Sequence, residues 1–553
     1  QHPMSFCCGT GRDPLAAEMA ADDSPVVDEA VCAVADLPPG TKKDFEVRGR
    51  KILIINDGGK FFAVNGVCSH YNAPLVDGIY SDGKIRCPWH GACFSVKTGD
   101  IEDYPAFDSL HAFQIRKVGD KLHVKTTEKR LASDRRTRKA AKYSLSSEKP
   151  IIVVGSGIAA QSVVENLRLA GCTSPISMIT KEAHPPYDRV LLSKKPSATI
   201  DDIRMRKADY YCENNINIIV NTKVVGVDPV KKVVTLNDKS TFPYSKCVLA
   251  LGGRVRRLPN KGGDLQGVHT LRTVSDANSI AAEAEGRDVV CIGASFIGME
   301  VASAVRASAA SVTVVCSTEE PLPAFGVDVG RAVRKYFETK DVNIVRRARV
   351  SQLHGDSAGR VAEVVLEGGQ RLAAQCVVVG IGVDPDTAWV RNGTIRLDDR
   401  GFIKVDEKFE TNEKEVFAIG DAVTAPLPFW GLPSLNIQHF QVAQRHGQLA
   451  AHAILGKPLP GRLIPYFWSL FFFEKGVKFA GCADGYDETY VRGDVDGFDF
   501  VKYYLRSDTV VAVCQAGLKK TAIQFLALCD QGKRLSRDDV EKNKQDDWQF
   551  LLK

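Results

Sequence analysis

Short apolar runs separated by glycines fill the first part of the chain, and strand–turn–helix patterns follow. Lys51–Ile55 and Phe61–Val64 are β-type runs, and their surroundings are broken up by Gly66, Gly78, Gly91 and Gly99. From residue 150 onward, a buried-strand run (150–154) leads through a glycine-rich turn into a helical stretch that reaches Ala170. The pattern therefore predicts short β-strands first and a change to strand–turn–helix units at residue 150.

Three later segments have a distinct pattern. Apolar and polar residues alternate around Phe498–Leu505 and Thr509–Gln515, which predicts antiparallel strands near the end of the chain. Residues 126–149 are polar, basic and poor in apolar side chains, a composition that favours a solvated linker over a basic docking stripe. The longest aromatic run, Tyr466–Phe473, is far too short to span a membrane.

Composition indicates a globular protein of several domains. The 553 residues predict about three or four domains of roughly 150 residues each. A net charge of +6 is too dilute over this length to indicate a nucleic-acid partner. The 15 cysteines are scattered through strand-like segments, which favours a reducing intracellular compartment over a disulfide framework. The chain begins at Gln1 rather than Met, which leaves room for a targeting segment upstream.

Two cysteine–histidine pairs carry the strongest chemical signal. Cys68 and His70 form C-x-H, and Cys87 and His90 form C-x-x-H further along the chain. A Rieske [2Fe–2S] cluster needs such pairs, because two thiolates hold one of its irons and two imidazoles hold the other. A Cys₂His₂ zinc site usually groups like ligands together, which does not match this spacing. Zinc, or four unrelated core residues, are the weaker alternatives.

The surrounding region, about residues 28–125, resembles Rieske ferredoxins. In respiratory-type Rieske proteins a disulfide clamps the two ligand loops, but its positions here hold Ala73 and Trp89. Ala92 stands where a serine usually donates to a cluster sulfur. When the cluster sulfurs accept fewer hydrogen bonds, the reduced and more negative cluster is less stabilised and its reduction potential falls. A low-potential cluster of the dioxygenase-ferredoxin type is therefore expected.

A dinucleotide-binding fingerprint follows the run at 150–154. In its G-x-G-x-x-A pattern, Gly155 permits the tight turn, Gly157 lets a pyrophosphate approach the backbone, and Ala160 lets the helix pack closely. The next strand-like run, Ile176–Thr180, is followed by Glu182, which is expected to take the adenosine ribose.

A second fingerprint has Gly293, Ser295 and Gly298 at its three positions. Ser295 is small enough to permit phosphate approach, though less closely than glycine. The next strand does not end directly in an acid, so Glu319 or Glu320 is expected to reach the ribose 2′-OH. No arginine or lysine follows there to meet a 2′-phosphate, which favours NADH over NADPH.

These paired fingerprints resemble the flavin-dependent pyridine-nucleotide oxidoreductases. Residues 186–194 (P-Y-x-R-x-x-L-S-K), 247–253, 377–382, 411–421 and 465–469 resemble further segments of that family. The resemblance implies catalytic positions for Lys194, beside the flavin, and Glu300, near the nicotinamide. It also implies cofactor contacts by Arg189, Val224, Gly382, Asp421, Gln438, His439 and Trp468.

The redox dithiol of the disulfide reductases is missing from this chain. Those enzymes carry C-x₄-C on the helix after the first fingerprint, whereas residues 158–171 contain no cysteine and Cys172 stands alone. Electrons cannot leave the flavin through an internal dithiol, so the iron–sulfur cluster is the expected acceptor.

A Rieske domain in front of such a reductase resembles the apoptosis-inducing factor 3 family, over about residues 28–553. The resemblance implies a multi-domain fold, in which a β-rich Rieske domain precedes doubly wound α/β FAD and NAD domains and an α+β C-terminal domain. The expected boundaries are 28–125 for the Rieske domain, 126–149 for the linker, 150–272 with 388–460 for the FAD domain, 273–387 for the NAD domain and 461–553 for the dimerisation-like C-terminal domain.

The expected activity is electron transfer from NADH or NADPH through FAD to the [2Fe–2S] cluster and on to an unnamed protein or small molecule. The resemblance also implies a homodimer, a mitochondrial or cytosolic location and a pro-apoptotic role; no nucleic acid and no transmembrane segment are expected. An NAD-controlled cell-death scaffold with little turnover, or an NADH oxidase that feeds oxygen or quinone, are the alternatives.

Overall fold

The computed structural model describes residues 22–138, 140, 149–391 and 393–552, which belong to two compact units. The first unit holds the residues up to 139 and those from Trp548 onward, and the second holds 140–547. The expectation for the N-terminus, and that for the linker at 139 and 141–148, lie outside the described residues.

The first unit is built from antiparallel strands, as its glycine-punctuated β runs predict. In the strand Arg50–Asp57, Leu53 and Ile55 pack into one apolar cluster while Ile52 and Ile54 pack into another, so both faces of the strand are buried. The six-stranded sheet has the order Val26–Ala33, Lys121–Thr127, Ala112–Val118, Lys60–Asn65, Arg50–Asp57 and Lys42–Val47. A smaller sheet has the order Ile79–Ser81, Lys84–Arg86, Cys93–Ser95 and Ile101–Asp103.

The predicted linker differs from the structure in its first half. Residues up to Thr127 complete a sheet strand, and the short helix Glu128–Leu131 follows. The Arg136 guanidinium then donates to the carbonyls of Thr98 (3.0 Å) and Leu110 (3.2 Å). Residues 126–138 are therefore part of the folded unit. The polar composition wrongly predicted a solvated linker, because guanidinium hydrogen bonds rather than a large apolar face hold this segment in place.

The second unit contains the first dinucleotide fold. Its parallel sheet has the order Ile216–Ile219, Ile176–Ile179, Ile151–Val154, Lys246–Leu249 and Val416–Ala418. All four residues of the central strand Ile151–Val154 are buried, as expected for a parallel strand covered on both faces. Helices Ile158–Leu169 and Phe440–Ile454 pack together closely, since a Cβ on Gly447 would lie 2.7 Å from the Ala159 carbonyl oxygen.

A second parallel sheet forms the other dinucleotide fold. Its strands have the order Val268–Thr270, Cys376–Val379, Asp288–Ile292, Ser311–Val315 and Val342–Val345. Its helices are Val274–Ala284, Phe296–Val305 and Val327–Glu338. Ligands of such sheets bind at the carboxyl ends of the strands, and the two fingerprints occupy those ends.

The predicted antiparallel C-terminal strands are confirmed, and Thr509–Gln515 has the predicted bounds. The sheet has the order Tyr466–Phe471, Lys475–Gly481, Thr509–Gln515, Asp499–Arg506 and Glu488–Asp494. Helices Thr521–Asp530 and Arg537–Lys542 follow it.

Small elements complete the second unit. The short strands are Val224–Asp228, Val233–Leu236, Thr241–Pro243, Gly253–Val255, Val350–Gly355, Val361–Leu366, Arg371–Ala373, Val383–Pro385, Ile403–Lys404, Val423–Leu427 and Leu432–Leu435. The short helices are Leu191–Ser193, Ile200–Ile203, Ala208–Glu213, Pro323–Phe325, Gly420–Ala422 and Pro428–Trp430. Throughout the described ranges, every helix is too short or too polar to cross a bilayer.

Candidate cluster and flavin sites

The four expected iron ligands lie on two backbone-stabilised loops of the first unit. In the first loop, the Cys68 N–H donates to the Ala73 carbonyl (2.9 Å) and the Asn72 N–H donates back to the Cys68 carbonyl (2.9 Å). In the second loop, the Cys87 N–H donates to the Ala92 carbonyl (2.7 Å). Each turn thus fixes one cysteine against the apolar core, and the histidine of the same pair follows two or three residues later in the chain.

The two cysteines and the two histidines lie together in matching pairs. Hydrogen bonding to the Cys87 thiol, together with burial, raises the pKa of Cys68 well above its usual value, which places the two sulfurs side by side. The imidazole rings of His70 and His90 are 4.8 Å apart between centroids and nearly perpendicular. Burial lowers the pKa of His70 to about 3, so its ring is neutral, as a metal ligand must be.

The chemistry of this set fits a Rieske cluster. The Nδ1 atom of His70 is buried and has no hydrogen-bond partner among the residues that the structure describes, so it is placed to bind a metal. No three potential ligands in the described ranges converge on one point, as a single metal ion requires. A Rieske cluster instead gives each iron two protein ligands, which is the paired arrangement of these loops.

A cavity of about 410 Å³ in the second unit collects most of the predicted flavin and nicotinamide residues. It opens between the two fingerprints, and its wall includes residues from both dinucleotide folds and from the strand Tyr466–Phe471. The predicted residues that line it are Gly157, Arg189, Lys194, Ser295, Glu300, Gly382, Asp421, Gln438, His439 and Trp468.

The other predicted cofactor residues lie outside that wall. Gly155 has φ +118°, and a Cβ there would lie 2.2 Å from the Ala250 carbonyl oxygen, so only glycine fits the turn. A Cβ on Gly298 would lie 1.8 Å from the Gly293 carbonyl oxygen, which explains the close approach of helix and turn. Ala160 is fully buried in the first helix, and Val224 begins a separate antiparallel strand.

Arg189 lines the cavity and binds Glu182, which lies outside the cavity wall. The Arg189 guanidinium bonds both Glu182 and the Arg272 carbonyl (2.5 and 2.7 Å). Burial alone would raise the pKa of Glu182, but the Arg189 charge and the Tyr187 hydroxyl outweigh it and hold the pKa below its usual value. Arg189 Nε is buried without a hydrogen-bond partner among the described residues. This orphaned donor, in a cavity, fits an anionic or polar ligand such as FAD.

Asp421 lies in the same cavity wall, on the turn Gly420–Ala422. Burial raises its pKa, while the charges of Arg272 and Arg189 act in the opposite direction. The Asn436 side chain holds the turn by donating to the Asp421 carbonyl (2.9 Å). The Asp421 carboxyl is thus fixed where it can accept hydrogen bonds from a ligand.

Lys194 and Glu300 meet at the cavity wall. Lys194 Nζ lies 2.9 Å from Glu300 Oε2, and both side chains are largely buried. Two hydroxyls orient the same carboxylate: Ser193 donates to Oε2 (2.6 Å) and Ser469 donates to Oε1 (3.0 Å). The carboxylate therefore connects the FAD fold, the NAD fold and the C-terminal sheet.

His439 and two aromatic residues close this side of the cavity. Burial, followed by the Lys194 charge, lowers the pKa of His439 to about 4, so its ring is neutral near pH 7. Its ring lies 5.2 Å from that of Phe467, and Trp468 lines the cavity next to it. A neutral, apolar wall suits a planar ring system.

Sequence reasoning included Phe467 and Ser469 only as part of the segment 465–469 and did not identify Arg272, although all three line the cavity. Arg272 lies between the strand Val268–Thr270 and the capping box of the helix Val274–Ala284. A basic residue after a strand is its only signal in the sequence. The expected ribose acids, Glu319 and Glu320, both pair with arginines from later in the chain.

Three family models match successive parts of the chain. Residues 28–114 match the Rieske [2Fe-2S] domain, 149–447 match the pyridine nucleotide-disulphide oxidoreductases, and 466–547 match the reductase C-terminal domain. The first and last of these matches bracket the central one, in the order expected from the motifs.

Individual relatives share the same parts. Human apoptosis-inducing factor 3 is 38% identical over 521 residues, which cover 93% of this chain and 86% of that protein. The benzene 1,2-dioxygenase system ferredoxin–NAD(+) reductase subunit of Pseudomonas putida is 32% identical and covers 62% of this chain and 83% of its own. The covalent putidaredoxin reductase–putidaredoxin complex has a TM-score of 0.67 at 26% identity, and the match covers 70% of this chain and 94% of that one.

Proposed function

The chain belongs to the pyridine nucleotide-disulphide oxidoreductase family, in the form with an N-terminal Rieske domain that apoptosis-inducing factor 3 shares, and we propose that its own cluster accepts the electrons that NADH delivers to FAD. The predicted family, the multi-domain fold class and the enzyme class are confirmed. The predicted cofactors, FAD, a Rieske [2Fe–2S] cluster and NADH, are confirmed as well.

One observation carries the proposal: a Rieske domain and a ferredoxin-reductase fold lie on one chain that has no internal dithiol next to the flavin. The similar benzene-dioxygenase subunit is named as a ferredoxin–NAD(+) reductase, so its name pairs it with a ferredoxin. Here the matched Rieske domain precedes the reductase in the same sequence. The cluster domain therefore takes the place of the separate ferredoxin.

Bound FAD supplies hydride acceptance and the division of an electron pair into single electrons, and a Rieske cluster carries one electron at a time. The residues of this chain bind and orient these groups. Asp421, Arg189 and Arg272 are proposed to hold FAD, and Cys68, His70, Cys87 and His90 are proposed to hold the cluster.

Lys194 and Glu300 are proposed as the residues nearest the reacting rings. Their ion pair, fixed by Ser193 and Ser469, presents an oriented charge to the cavity without needing to gain or lose a proton. The neutral ring of His439 and the aromatic wall formed by Phe467 exclude water beside it. Hydride transfer needs this orientation and a dry site more than it needs an acid or a base.

A cluster-deficient variant tests the route. His70→Cys in the holoprotein should retain FAD and its reduction by NADH, but should lose electron delivery to a one-electron acceptor such as cytochrome c. The matched control is His123→Cys, at a half-buried histidine of the same unit. Equal acceptor reduction by His70→Cys and wild type would mean that electrons leave the flavin directly.

A cell-death role comes from the name of the human relative alone. We propose electron transfer as the primary activity. We also propose a mitochondrial or cytosolic location, because buried cysteines such as Cys247 and Cys291 form no disulfide and suit a reducing compartment. A scaffold would instead hold a long-lived flavin–NAD complex after one reduction. The lifetime of the long-wavelength charge-transfer band after addition of NADH separates the two functions.

A further inference from the structure

The end of the strand Ser311–Val315 is where this type of nucleotide-binding fold distinguishes NADH from NADPH. An acid at that position accepts from the ribose 2′-OH of NADH, whereas an arginine nearby accommodates the 2′-phosphate of NADPH. In this chain the first residue after the strand is Cys316, whose side chain is fully buried. Its Sγ lies 3.2 Å from Thr318 Oγ1, so it turns into the protein.

Glu320, the nearest buried acid, is fully engaged by arginines. Only 4% of its side chain is exposed. Arg334 donates to Oε2 from Nε (2.8 Å) and to Oε1 from Nη2 (3.3 Å), and Arg346 donates to Oε1 from Nη1 (3.0 Å). A carboxylate held by two guanidinium groups cannot turn towards a ribose without leaving buried charges unpaired. Glu320 therefore does not select NADH.

Glu319 is exposed, but an arginine also pairs with it. Arg347 Nη2 lies 2.9 Å from Glu319 Oε1, with side-chain exposures of 69% and 50%. Exposed ion pairs of this kind contribute little to stability, so another anion can replace the carboxylate at low cost. A phosphate monoester is the stronger partner, because it carries about two negative charges near neutral pH and offers three strong acceptor oxygens.

The backbone holds Arg346 and Arg347 beside the strand end. The Arg347 N–H donates to the Thr318 carbonyl (3.0 Å), and the Ala348 N–H donates to the Cys316 carbonyl (3.0 Å). Arg347 has φ +52°, a left-handed conformation that is less common for residues other than glycine. Two backbone hydrogen bonds thus fix an unusual turn that carries adjacent arginines.

The same segment is tied to the second fingerprint. The Gly293 N–H donates to the Val315 carbonyl (2.9 Å), and the Leu322 N–H donates to the Ala294 carbonyl (2.9 Å). The fingerprint turn, the strand end and the paired arginines therefore form one contiguous edge of the sheet, where the adenosine half of a dinucleotide binds in such folds.

We infer that Arg346 and Arg347 form a binding site for the 2′-phosphate of NADPH, so that this chain accepts NADPH as well as NADH. The inference rests on the proposed function, since it concerns the donor of the same reaction. The sequence concealed it because these arginines follow the next strand, Val342–Val345, rather than the strand that they serve.

Ligand binding tests the site without turnover. Calorimetric titration of the holoprotein with 2′,5′-ADP and with ADP compares the same nucleotide with and without the 2′-phosphate. Arg347→Ala should weaken 2′,5′-ADP by about tenfold or more and leave ADP unchanged, because one charge-assisted bond to phosphate is lost. The control is Arg371→Ala, which breaks a similar exposed pair with Glu363 (2.9 Å), and it should change neither affinity.

Equal weakening of both ligands by Arg347→Ala, or no binding of 2′,5′-ADP where ADP binds, would overturn the inference.

Anaerobic flavin reduction gives an independent readout. NADPH should reduce the flavin at a rate comparable with that of NADH, and Arg347→Glu should slow NADPH only. If NADPH reacts more than about a hundredfold more slowly than NADH, the inference fails while the proposed function stands. If neither nucleotide reduces the flavin, the proposed function itself fails.

Discussion

Lys194 Nζ lies 2.9 Å from Glu300 Oε2, and this ion pair joins the first dinucleotide fold to the second at the wall of the flavin cavity. Because the Lys194 side chain is only 20% exposed, its ammonium depends on this carboxylate for compensation of its charge. Ser193 and Ser469 hold the carboxylate on its other sides. The pair is therefore both a structural link and an oriented charge.

Glu300→Gln should slow flavin reduction by NADH by about tenfold or more, because it keeps the shape of the side chain but removes a charge-assisted bond worth about 1.5–3 kcal/mol. Stopped-flow absorbance under anaerobic conditions measures the rate. Asp538→Asn is the control, since it breaks the exposed helical pair of Asp538 with Lys542. An unchanged rate in Glu300→Gln would remove this pair from the catalytic site.

Asp421→Ala should lose FAD during purification. The Asp421 carboxyl is expected to accept hydrogen bonds from the flavin ribitol, and a buried donor left unpaired costs about 1–3 kcal/mol. The ratio of flavin to protein absorbance measures the loss, with Asp496→Ala, at an exposed pair with Lys335, as the control. Full flavin content in Asp421→Ala would count against the segment 411–421 as a flavin signature.

Stability should fall on the acid side because His446 is buried and neutral. Burial lowers its pKa to about 3, whereas an unfolded histidine has a pKa of about 6.5. Below pH 6.5 the unfolded chain binds a proton that the folded chain does not, so stability is full above that pH and falls towards pH 3. The slope is about 1.4 kcal/mol per pH unit for each such proton.

His446→Asn should flatten the pH dependence of stability by one proton, because it removes the titratable ring. The asparagine side-chain oxygen can still accept from the Gly420 N–H, which lies 3.2 Å from the ring nitrogen in the wild type. Thermal unfolding between pH 4 and about 7 measures it. The control, Ala453→Ser, changes a half-buried residue without a titratable group on the same helix and should keep the wild-type slope. An identical slope in His446→Asn would show that another group controls the acid side.

The cluster should have a midpoint potential of about −150 mV or below, near the bottom of the Rieske range. Ala73 and Trp89 stand where respiratory-type proteins place the clamping disulfide, and the buried Ala92 offers no hydroxyl to a cluster sulfur. Ala92→Ser should raise the potential by adding that donor. Redox titration followed by EPR measures both proteins, and a wild-type midpoint above about +150 mV would contradict this explanation of the loops.

The sequence predicted those features of the molecule that residues close together in the chain determine. The strand–turn–helix around Gly155 and the ligand pairs around Cys68 and Cys87 are examples, because the spacing of a few residues specifies each of them. Ser469 reaches Glu300 from a different domain, and Arg347 reaches Glu319 from the following strand. Such contacts depend on tertiary packing, which periodicity does not encode.

The predicted linker failed for a related reason. Residues 126–138 lack a large apolar face, so composition favours a solvated segment. In the structure, Arg136 bonds backbone carbonyls of the cluster domain, and Arg130 is buried against it with its guanidinium donating to the Ala112 carbonyl (2.8 Å). The partners of these arginines lie many residues earlier, where no local pattern indicates them.

Electrons should pass from the flavin to the cluster of the same chain, and rapid mixing with NADH followed by freeze-quench EPR measures this transfer. In anaerobic wild-type holoprotein the flavin absorbance should bleach first, and the Rieske EPR signal should then appear at a rate independent of protein concentration. His70→Cys should bleach normally and show no such signal. A cluster that stays oxidised after the flavin is reduced, or that is reduced only at a rate proportional to protein concentration, would show that the flavin does not pass electrons to the cluster of its own chain.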